Sequence, residues 1–309
     1  MKLTRRKFSL IGAASLAGLP AAITPWFSVA EQSQNGDRIK NDFTNEVGIT
    51  TSSLSGHLVA RPGPGQFSML ELPRVMRDEL DMRVIDLNTS SLASTDEAYL
   101  DQCREAAEKA GCVFTNLKMN QRDLDMNSLD EATRRKAIDI YKSSIDAASR
   151  LGCRWARPLP LPEMPDWRIH VASYQELAEY SARKNVEMLV ENYGWMQGDP
   201  ESVVKLVKAV GRNVAACPDT GNWNDNDIRY AALAKTFPSA VTCDFKARTL
   251  GPNGEHEAYD LRRCFEIGWT AGFRGPWCLE HANRDRRTLF RELALLRDSI
   301  REWTAAAAA

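Results

Sequence analysis

Eight short apolar segments, spread between residues 47 and 281, alternate with segments of helical periodicity. The apolar segments are 47–53, 82–88, 112–119, 153–161, 186–192, 214–219, 240–246 and 276–281. Helical patterns fill nearly all of the intervals, and a last one covers 286–304. Regular strand–helix alternation requires a parallel sheet, because each parallel connection needs a crossover. Eight such units predict a single (β/α)8 TIM barrel.

An open, doubly wound sheet is the alternative that the same alternation allows. Such sheets usually carry a glycine-rich phosphate-binding loop after the first strand, and TSSLSG (51–56) matches that loop poorly. No change of composition on the scale of a linker interrupts the pattern. Residues 46–304 are therefore predicted to form one barrel domain, followed by an alanine-rich tail at 305–309.

The first thirty residues differ from the rest of the chain. Arg5 and Arg6 precede an apolar run of small residues, which ends in the small-x-small pattern of residues 28–30. This arrangement resembles a twin-arginine export signal. We expect residues 1–30 to be removed on export to the periplasm and residues 31–45 to form a polar tether. An amphipathic or membrane-anchoring N-terminus is the alternative.

Composition limits the classes of partner. The 309 residues carry a net charge of −1 and a pI of about 6.5, so no global basic field would attract nucleic acid. No internal segment approaches the length of a membrane span, so we expect none after removal of the signal. The oligomeric state is left open.

The seven cysteines include no CxxC pair, so a zinc ribbon is unsupported. Five of them lie in the apolar strand segments: Cys112, Cys153, Cys217, Cys243 and Cys278. An exported protein can carry disulfides. The pattern nevertheless favours buried thiols that act as small hydrophobic side chains.

The last four predicted strands each carry a carboxylate near their C-terminal ends: Glu191, Asp219, Asp244 and Glu280. The C-terminal ends of barrel strands converge on one mouth, where active sites form. Four carboxylates this close repel one another unless a cation neutralises them. A set of oxygen ligands favours Mn²⁺ or Mg²⁺, and Zn²⁺ is a less favoured candidate for the bound metal. A capped loop or a surface ion pair is the ordinary role of any one such acid.

Several segments resemble the sugar phosphate isomerase/epimerase group, which has the xylose isomerase-like barrel of the AP-endonuclease-2 family. They are LVENYG, ACPDTGNW, the lysine of DFKAR, and GFRGPWCLEH. The resemblance covers about residues 46–300 and is most specific over 186–281. It implies that Glu191 and Glu280 are both metal ligands and the paired acid and base, and that Asp219 is a further ligand.

The third ligand position departs from the group's pattern. The group often has a histidine two residues before a lysine, whereas this chain has Asp244 before Lys246. A fourth acid favours a hard cation and puts a strict ketose-epimerase assignment in doubt. His256, in the loop that follows, is an alternative source of a ligand.

Isomerising or epimerising a sugar begins with removal of a proton alpha to a carbonyl, which a carboxylate can accept. Glu191 and Glu280 belong to non-adjacent strands and could flank a substrate. Lys246 either stabilises the developing negative charge or merely neutralises Asp244. Five further residues are candidates for substrate binding: Arg157, Asn222, Trp195, Trp223 and His57. Arg157 could instead serve only as the ion-pair partner of Glu191. Trp167 is a third tryptophan, besides Trp195 and Trp223, in the loops predicted to surround the mouth.

Barrels with such a site can have three other functions. A lyase or dehydratase acting on oxidised (3-keto) glycosides would share the same acids, metal and first step. A non-catalytic sugar-binding barrel would hold no metal. Phosphodiester cleavage, as in the DNA-repair branch of this barrel family, is disfavoured. The resemblance implies a histidine-rich zinc site for that branch, whereas this chain has only four histidines and no basic track that would bind phosphates.

Overall fold

The computed structural model describes residues 42–252 and 254–309. The expected export signal and residues 31–41 of the expected tether lie outside the described residues. Within the described ranges there are eight strands: β1 Val47–Thr50, β2 Val84–Asn88, β3 Val113–Met119, β4 Trp155–Pro158, β5 Glu187–Val190, β6 Val214–Ala216, β7 Cys243–Lys246 and β8 Trp277–Glu280.

The α-helices follow the strands in regular order. They are α1 Leu72–Leu80, α2 Glu97–Lys109, α3 Glu131–Leu151, α4 Trp167–Ala182, α5 Ser202–Val210, α6 Asn226–Thr236, α7 Leu261–Thr270 and α8 Arg286–Ala308. Five of these helices begin after an aspartate whose side chain accepts a backbone N–H of the first turn. α8 continues beyond the predicted end of the barrel at 304. None of the described helices is long and apolar enough to cross a membrane.

The strands form one parallel sheet in the order β6-β5-β4-β3-β2-β1-β8-β7. The two end strands, β6 and β7, meet through parallel bridges between Ala216 and Ala240 and between Asp219 and Asp244. The Asp244 N–H donates to the Pro218 carbonyl at 2.9 Å, and the Thr220 N–H donates to the Asp244 carbonyl at 3.0 Å. The sheet therefore closes, which confirms the (β/α)8 TIM barrel.

The interior of the barrel has its own apolar layer, separate from the larger core between strands and helices. It includes Val84, Trp155, Leu189 and Cys278. Phe43 also belongs to this layer, with its ring centroid 5.9 Å from that of Trp155, although the sequence placed it in the tether. The described part of the barrel therefore includes a residue before position 46.

Side chains alternate across a strand, so residues two positions further along face the same side. Four charged residues each lie two positions after a residue of this apolar layer: Asp86, Arg157, Glu191 and Glu280. Their side chains therefore also face the interior, one layer nearer the C-terminal mouth. All seven cysteines are free and buried, as the hydrophobic pattern predicted.

Several strands end earlier than the sequence predicted. β1 stops at Thr50, where a 3-10 turn over Thr51–Leu54 begins. β6 stops at Ala216, so Asp219 lies beyond the strand in the loop at the mouth. Backbone pairing ends where the chain turns into these loops, and the apolar pattern alone does not mark that point.

Candidate active site

A cavity of about 300 Å³ opens at the C-terminal mouth of the barrel. It brings together five residues that the sequence predicted for the site: Arg157, Glu191, Asn222, Lys246 and Glu280. Its volume is at the lower end of the range for small-molecule sites. The mouth of the barrel therefore holds a compact, strongly polar pocket.

Glu191, Asp219 and Asp244 form a buried acidic trio with one oxygen from each within 4.8 Å of the others. Asp219 is held in place because its Oδ1 accepts the backbone N–H groups of Gly221 at 2.6 Å and Asn222 at 3.0 Å. Oδ2 of Asp244 is buried and has no hydrogen-bond partner among the described residues. Hard divalent cations prefer such carboxylate oxygens, so the trio fits a metal of that class.

Lys118 of β3 is a functional residue that the sequence reasoning missed. Its side chain is 1% exposed, and its Nζ lies 2.5 Å from Asp244 Oδ1 and 3.6 Å from Glu280 Oε2. Burial lowers the pKa of Lys118, but the carboxylates of Asp244 and Glu280 more than offset it and raise the pKa well above its ordinary value. The group is therefore an ammonium. A lysine inside the apolar segment FTNLKM was the available signal, because buried lysines need a partner.

Lys246 has different partners from those that the sequence suggested. Its Nζ lies 2.6 Å from Glu280 Oε1, 3.0 Å from Asn222 Oδ1 and 3.4 Å from Asp219 Oδ2. The idea that it merely neutralises Asp244 is wrong, because Lys118 pairs with Asp244. Burial lowers the pKa of Lys246, and the carboxylates of Asp219 and Glu280 raise it further than burial lowers it.

Glu191 has an ion-pair partner at one carboxylate oxygen and a hydrogen-bond donor at the other. Arg157 Nε lies 2.6 Å from Oε2, and the Asn222 side-chain amide donates to Oε1 at 3.0 Å. The side chains of Arg157 and Glu191 are 3% and 4% exposed. Asn222 also accepts from Lys246, which in turn contacts Glu280, so Asn222 and Lys246 together link the two predicted acid–base groups.

Seven ionisable side chains form the set that we call the charged cluster: Lys118, Arg157, Glu191, Asp219, Asp244, Lys246 and Glu280. Ion pairs join five of them, and the uncharged Asn222 links the remaining pair, Arg157–Glu191, to Lys246. Four carboxylates face three cations, which leaves one net negative charge when all are ionised. Buried charges are tolerated when they are paired in this way. The remaining charge is compatible with an added cation.

The pKa values of Asp219 and Glu280, two acids of the charged cluster, shift in opposite directions. Burial raises the pKa of Asp219 to about 6, although Lys246 opposes the shift. Burial also acts to raise the pKa of Glu280, but Lys118 and Lys246 lie on both sides of its carboxylate and lower the pKa below its usual range. Environments that separate the pKa values of neighbouring carboxylates assign them different chemical roles.

Gly221 occupies a position that no larger residue fits. A Cβ at this position would lie 2.7 Å from Cδ of Lys246 and 2.7 Å from the Tyr259 hydroxyl. The glycine of the ACPDTGN segment therefore allows the aspartate loop to pack directly against the lysine.

Some predicted residues lie outside the cavity. His57 is buried, and its Nε2 contacts the Asn283 carbonyl at 3.0 Å. Trp195 packs against His170 and against Trp167, which is the first residue of α4 and not a loop residue. Trp223 is 4% exposed. None of these four predicted residues is among those that line the cavity, and their contacts stabilise the loops around it.

His256 is engaged through both ring nitrogens. Its Nε2 accepts the Arg248 backbone N–H at 2.8 Å, and its Nδ1 donates to the Tyr259 carbonyl at 2.7 Å. Burial lowers the pKa of His256, so the ring is neutral. The acidic trio contains Asp244 in the position for which His256 was the alternative.

Comparison with protein families decides the classification. Residues 78–306 match the family described as the xylose isomerase-like TIM barrel. The chain belongs to this family. No curated protein sequence matches this xylose isomerase-like barrel.

Solved structures show the same fold. D-psicose 3-epimerase from Clostridium cellulolyticum H10, solved with D-tagatose, has a TM-score of 0.66 and 15% identity, over 84% of this chain and 98% of that one. A xylose isomerase-like TIM barrel protein from Mycobacterium smegmatis, in complex with magnesium, has a TM-score of 0.62 and 17% identity, over 85% and 98%. D-allulose 3-epimerase from Methylomonas sp. has a TM-score of 0.66 and 15% identity, over 84% and 98%.

Proposed function

We propose that this protein is a metal-dependent isomerase or epimerase that removes a proton alpha to the carbonyl of a sugar or sugar derivative. The observation that carries the proposal is the cavity at the mouth. There Glu280 and Glu191, which is itself a member of the acidic trio, lie at the ends of the non-adjacent strands β8 and β5. Family membership and the structural likeness to sugar 3-epimerases support it.

Glu191, Asp219 and Asp244 would hold the metal, with Mn²⁺ or Mg²⁺ favoured by their all-oxygen donor set. When bound, a divalent ion supplies positive charge that polarises a substrate carbonyl. Glu280 was expected as a fourth ligand, but its two oxygens contact Lys118 and Lys246. We therefore propose that Glu280 acts mainly in proton transfer.

The protein's own groups account for the proton movements. Glu280 is ionised at neutral pH and accepts the proton as the C–H bond breaks. The electron pair of that bond forms the carbon–carbon double bond of an enediolate, and the negative charge moves to oxygen. The Lys246 ammonium lines the same cavity and stabilises that charge. Glu191, after taking up a proton from solvent, would return that proton to the same carbon from the other side, while Glu280 releases its proton to solvent.

Metal analysis combined with a substrate screen tests this function. The metal content of the purified protein would be measured, and Mn²⁺-loaded protein would then be incubated in D₂O with D-psicose, D-tagatose, D-fructose and L-ribulose. We expect about one divalent ion per chain and NMR-detected exchange of an alpha proton in at least one sugar. Asp244→Asn should lower metal content, whereas Asp227→Asn, on the exposed first turn of α6, should not.

The alternatives predict other results. Sugar binding without metal or proton exchange would favour a non-catalytic binding barrel. Proton exchange followed by loss of a leaving group from a 3-keto glycoside would indicate the lyase, which shares the first step.

We also propose export through the twin-arginine-type segment at the N-terminus, on the strength of Arg5, Arg6 and the apolar run that follows. Changing both arginines to lysine should leave the precursor in the cytoplasm, as fractionation and immunoblotting would show. Normal export of that variant would contradict the proposal.

A further inference from the structure

A second cavity, of about 410 Å³, lies next to the first at the mouth of the barrel. The two share three lining residues, Ser52, Asn120 and Arg122. We call the second cavity the annex; its other polar side chains include Thr51, Asn88, Ser90 and Ser91. The shared residues make the annex an extension of the catalytic pocket.

Hydrogen bonds among uncharged side chains hold the annex wall in shape. The Asn88 amide donates to Ser52 Oγ at 2.6 Å and its carbonyl oxygen accepts from the Asn120 amide at 2.6 Å. Ser91 Oγ donates to Thr51 Oγ1 at 2.9 Å. A wall of positioned hydroxyl and amide groups suits a ligand that carries hydroxyl groups of its own.

The boundary between the two cavities has unused polar capacity. Oδ1 of Asn120 is buried and lacks a hydrogen-bond partner among the described residues. Within the described ranges, the Arg122 guanidinium forms no hydrogen bond or ion pair, and it is the only charged side chain that lines the annex. Asn120 can accept from a ligand hydroxyl, and Arg122 can donate to a ring or bridging oxygen.

Volume separates the possible occupants. At about 30 Å³ per water-sized group, 410 Å³ holds about 14 such groups, and a hexose unit has about 12 non-hydrogen atoms. The first cavity, at about 300 Å³, holds about 10 such groups, which corresponds to the about 10 non-hydrogen atoms of a pentose unit. A phosphate group would fill only a small part of the annex.

We propose that the annex binds a second sugar unit, so that the preferred ligand is a disaccharide or glycoside whose reacting unit lies in the first cavity. The identity of the reacting unit rests on the proposed function. Binding in the annex does not depend on turnover, so the two can be tested separately.

A cavity-filling substitution tests the annex. Ser90 lies on its exposed edge, lines only the annex and forms no side-chain hydrogen bond with any described residue. Ser90→Trp should fill the space of the second unit and leave the first cavity intact. Ala93→Trp is the matched control, because Ala93 is exposed in the same connection and lines neither cavity.

Calorimetric titration of the Mn²⁺-loaded full chain with D-fructose, maltulose and turanose gives the readout. We expect the wild type and Ala93→Trp to bind at least one of the disaccharides about tenfold more tightly than D-fructose, or better. Ser90→Trp should lose that gain and bind D-fructose as the wild type does. Circular dichroism would verify that both variants are folded.

Equal affinities for the monosaccharide and both disaccharides in the wild type would overturn the proposal, as would a disaccharide preference that survives in Ser90→Trp. Absence of binding by any of the three sugars would also overturn it. Tight disaccharide binding without any alpha-proton exchange would uphold the annex and count against the isomerase function alone.

Discussion

The charged cluster and the annex lie at the same end of the barrel but are built from opposite kinds of side chain. The charged cluster joins buried acids to buried cations through ion pairs, of which Lys118–Asp244 at 2.5 Å and Arg157–Glu191 at 2.6 Å are examples. The annex joins uncharged amides and hydroxyls, as in the Asn88–Ser52 bond at 2.6 Å. This difference matches the two proposed roles: catalysis in the charged cluster and ligand recognition in the annex.

The two regions also differ in what their side chains do to stability. A buried charge without a partner is costly, so each member of the charged cluster depends strongly on the others. A neutral hydrogen bond beside open solvent contributes far less, because water can replace either partner. Substitutions should therefore have large effects in the charged cluster and small ones in the annex.

The largest expected effect on stability comes from Lys118→Met. The change leaves Asp244 buried without its cation, which should lower the free energy of unfolding of the metal-free protein by about 3–5 kcal/mol in urea titrations. Lys205→Met breaks the exposed Lys205–Asp199 pair and is the control, with an expected loss of about 0–1 kcal/mol. Added Mn²⁺ should restore part of the stability of Lys118→Met, and equal losses in both variants would contradict the account.

Asp219 gives the next effect, through pH. Because burial raises its pKa from 3.8 to about 6, the folded metal-free protein retains a proton between these pH values that the unfolded chain has released. The contribution of Asp219 to stability therefore falls as pH rises through this window. Asp219→Asn cannot titrate, so it should gain up to about 3 kcal/mol relative to the wild type between pH 4 and pH 7. A pH-independent difference in unfolding free energy would contradict this prediction.

The smallest effect is expected in the annex. Asn88→Ala removes the bonds to Ser52 and Asn120 and should cost about 0.5–1.5 kcal/mol in unfolding free energy. Metal content should stay at the wild-type level, because Asn88 contacts no member of the acidic trio. A loss of metal in this variant would show that the two regions are not separate.

The sequence predicted site residues correctly where a charged side chain ends an apolar strand segment. Glu191 and Glu280 each follow a short apolar run, so the barrel pattern placed them at one mouth, and the structure has both lining one cavity. The acids could be predicted because strand ends converge by topology. The loop aromatics could not be sorted in this way: Trp195 and Trp223 pack into the loops around the mouth, and loop composition alone does not distinguish packing from ligand contact.

Lys118 and the annex show what the sequence alone could not provide. Lys118 and Asp244 are 126 positions apart, and nothing in either segment indicates which acid the lysine meets. The serines and asparagines of the annex resemble ordinary loop residues, because turns favour the same residue types. Their common function becomes visible only when the loops after β1, β2 and β3 are brought together.

Alpha-proton exchange in Glu280→Gln tests the central claim most directly. Glu280 lies outside the acidic trio, so its replacement by an isosteric amide should leave metal content unchanged while removing the proton acceptor. We predict that deuterium exchange into the sugar identified by the screen slows by about 10²–10⁴-fold in this variant. Glu163→Gln, at an exposed loop position, should exchange at the wild-type rate. Wild-type exchange in a metal-loaded Glu280→Gln variant would contradict the assignment of Glu280 as the base.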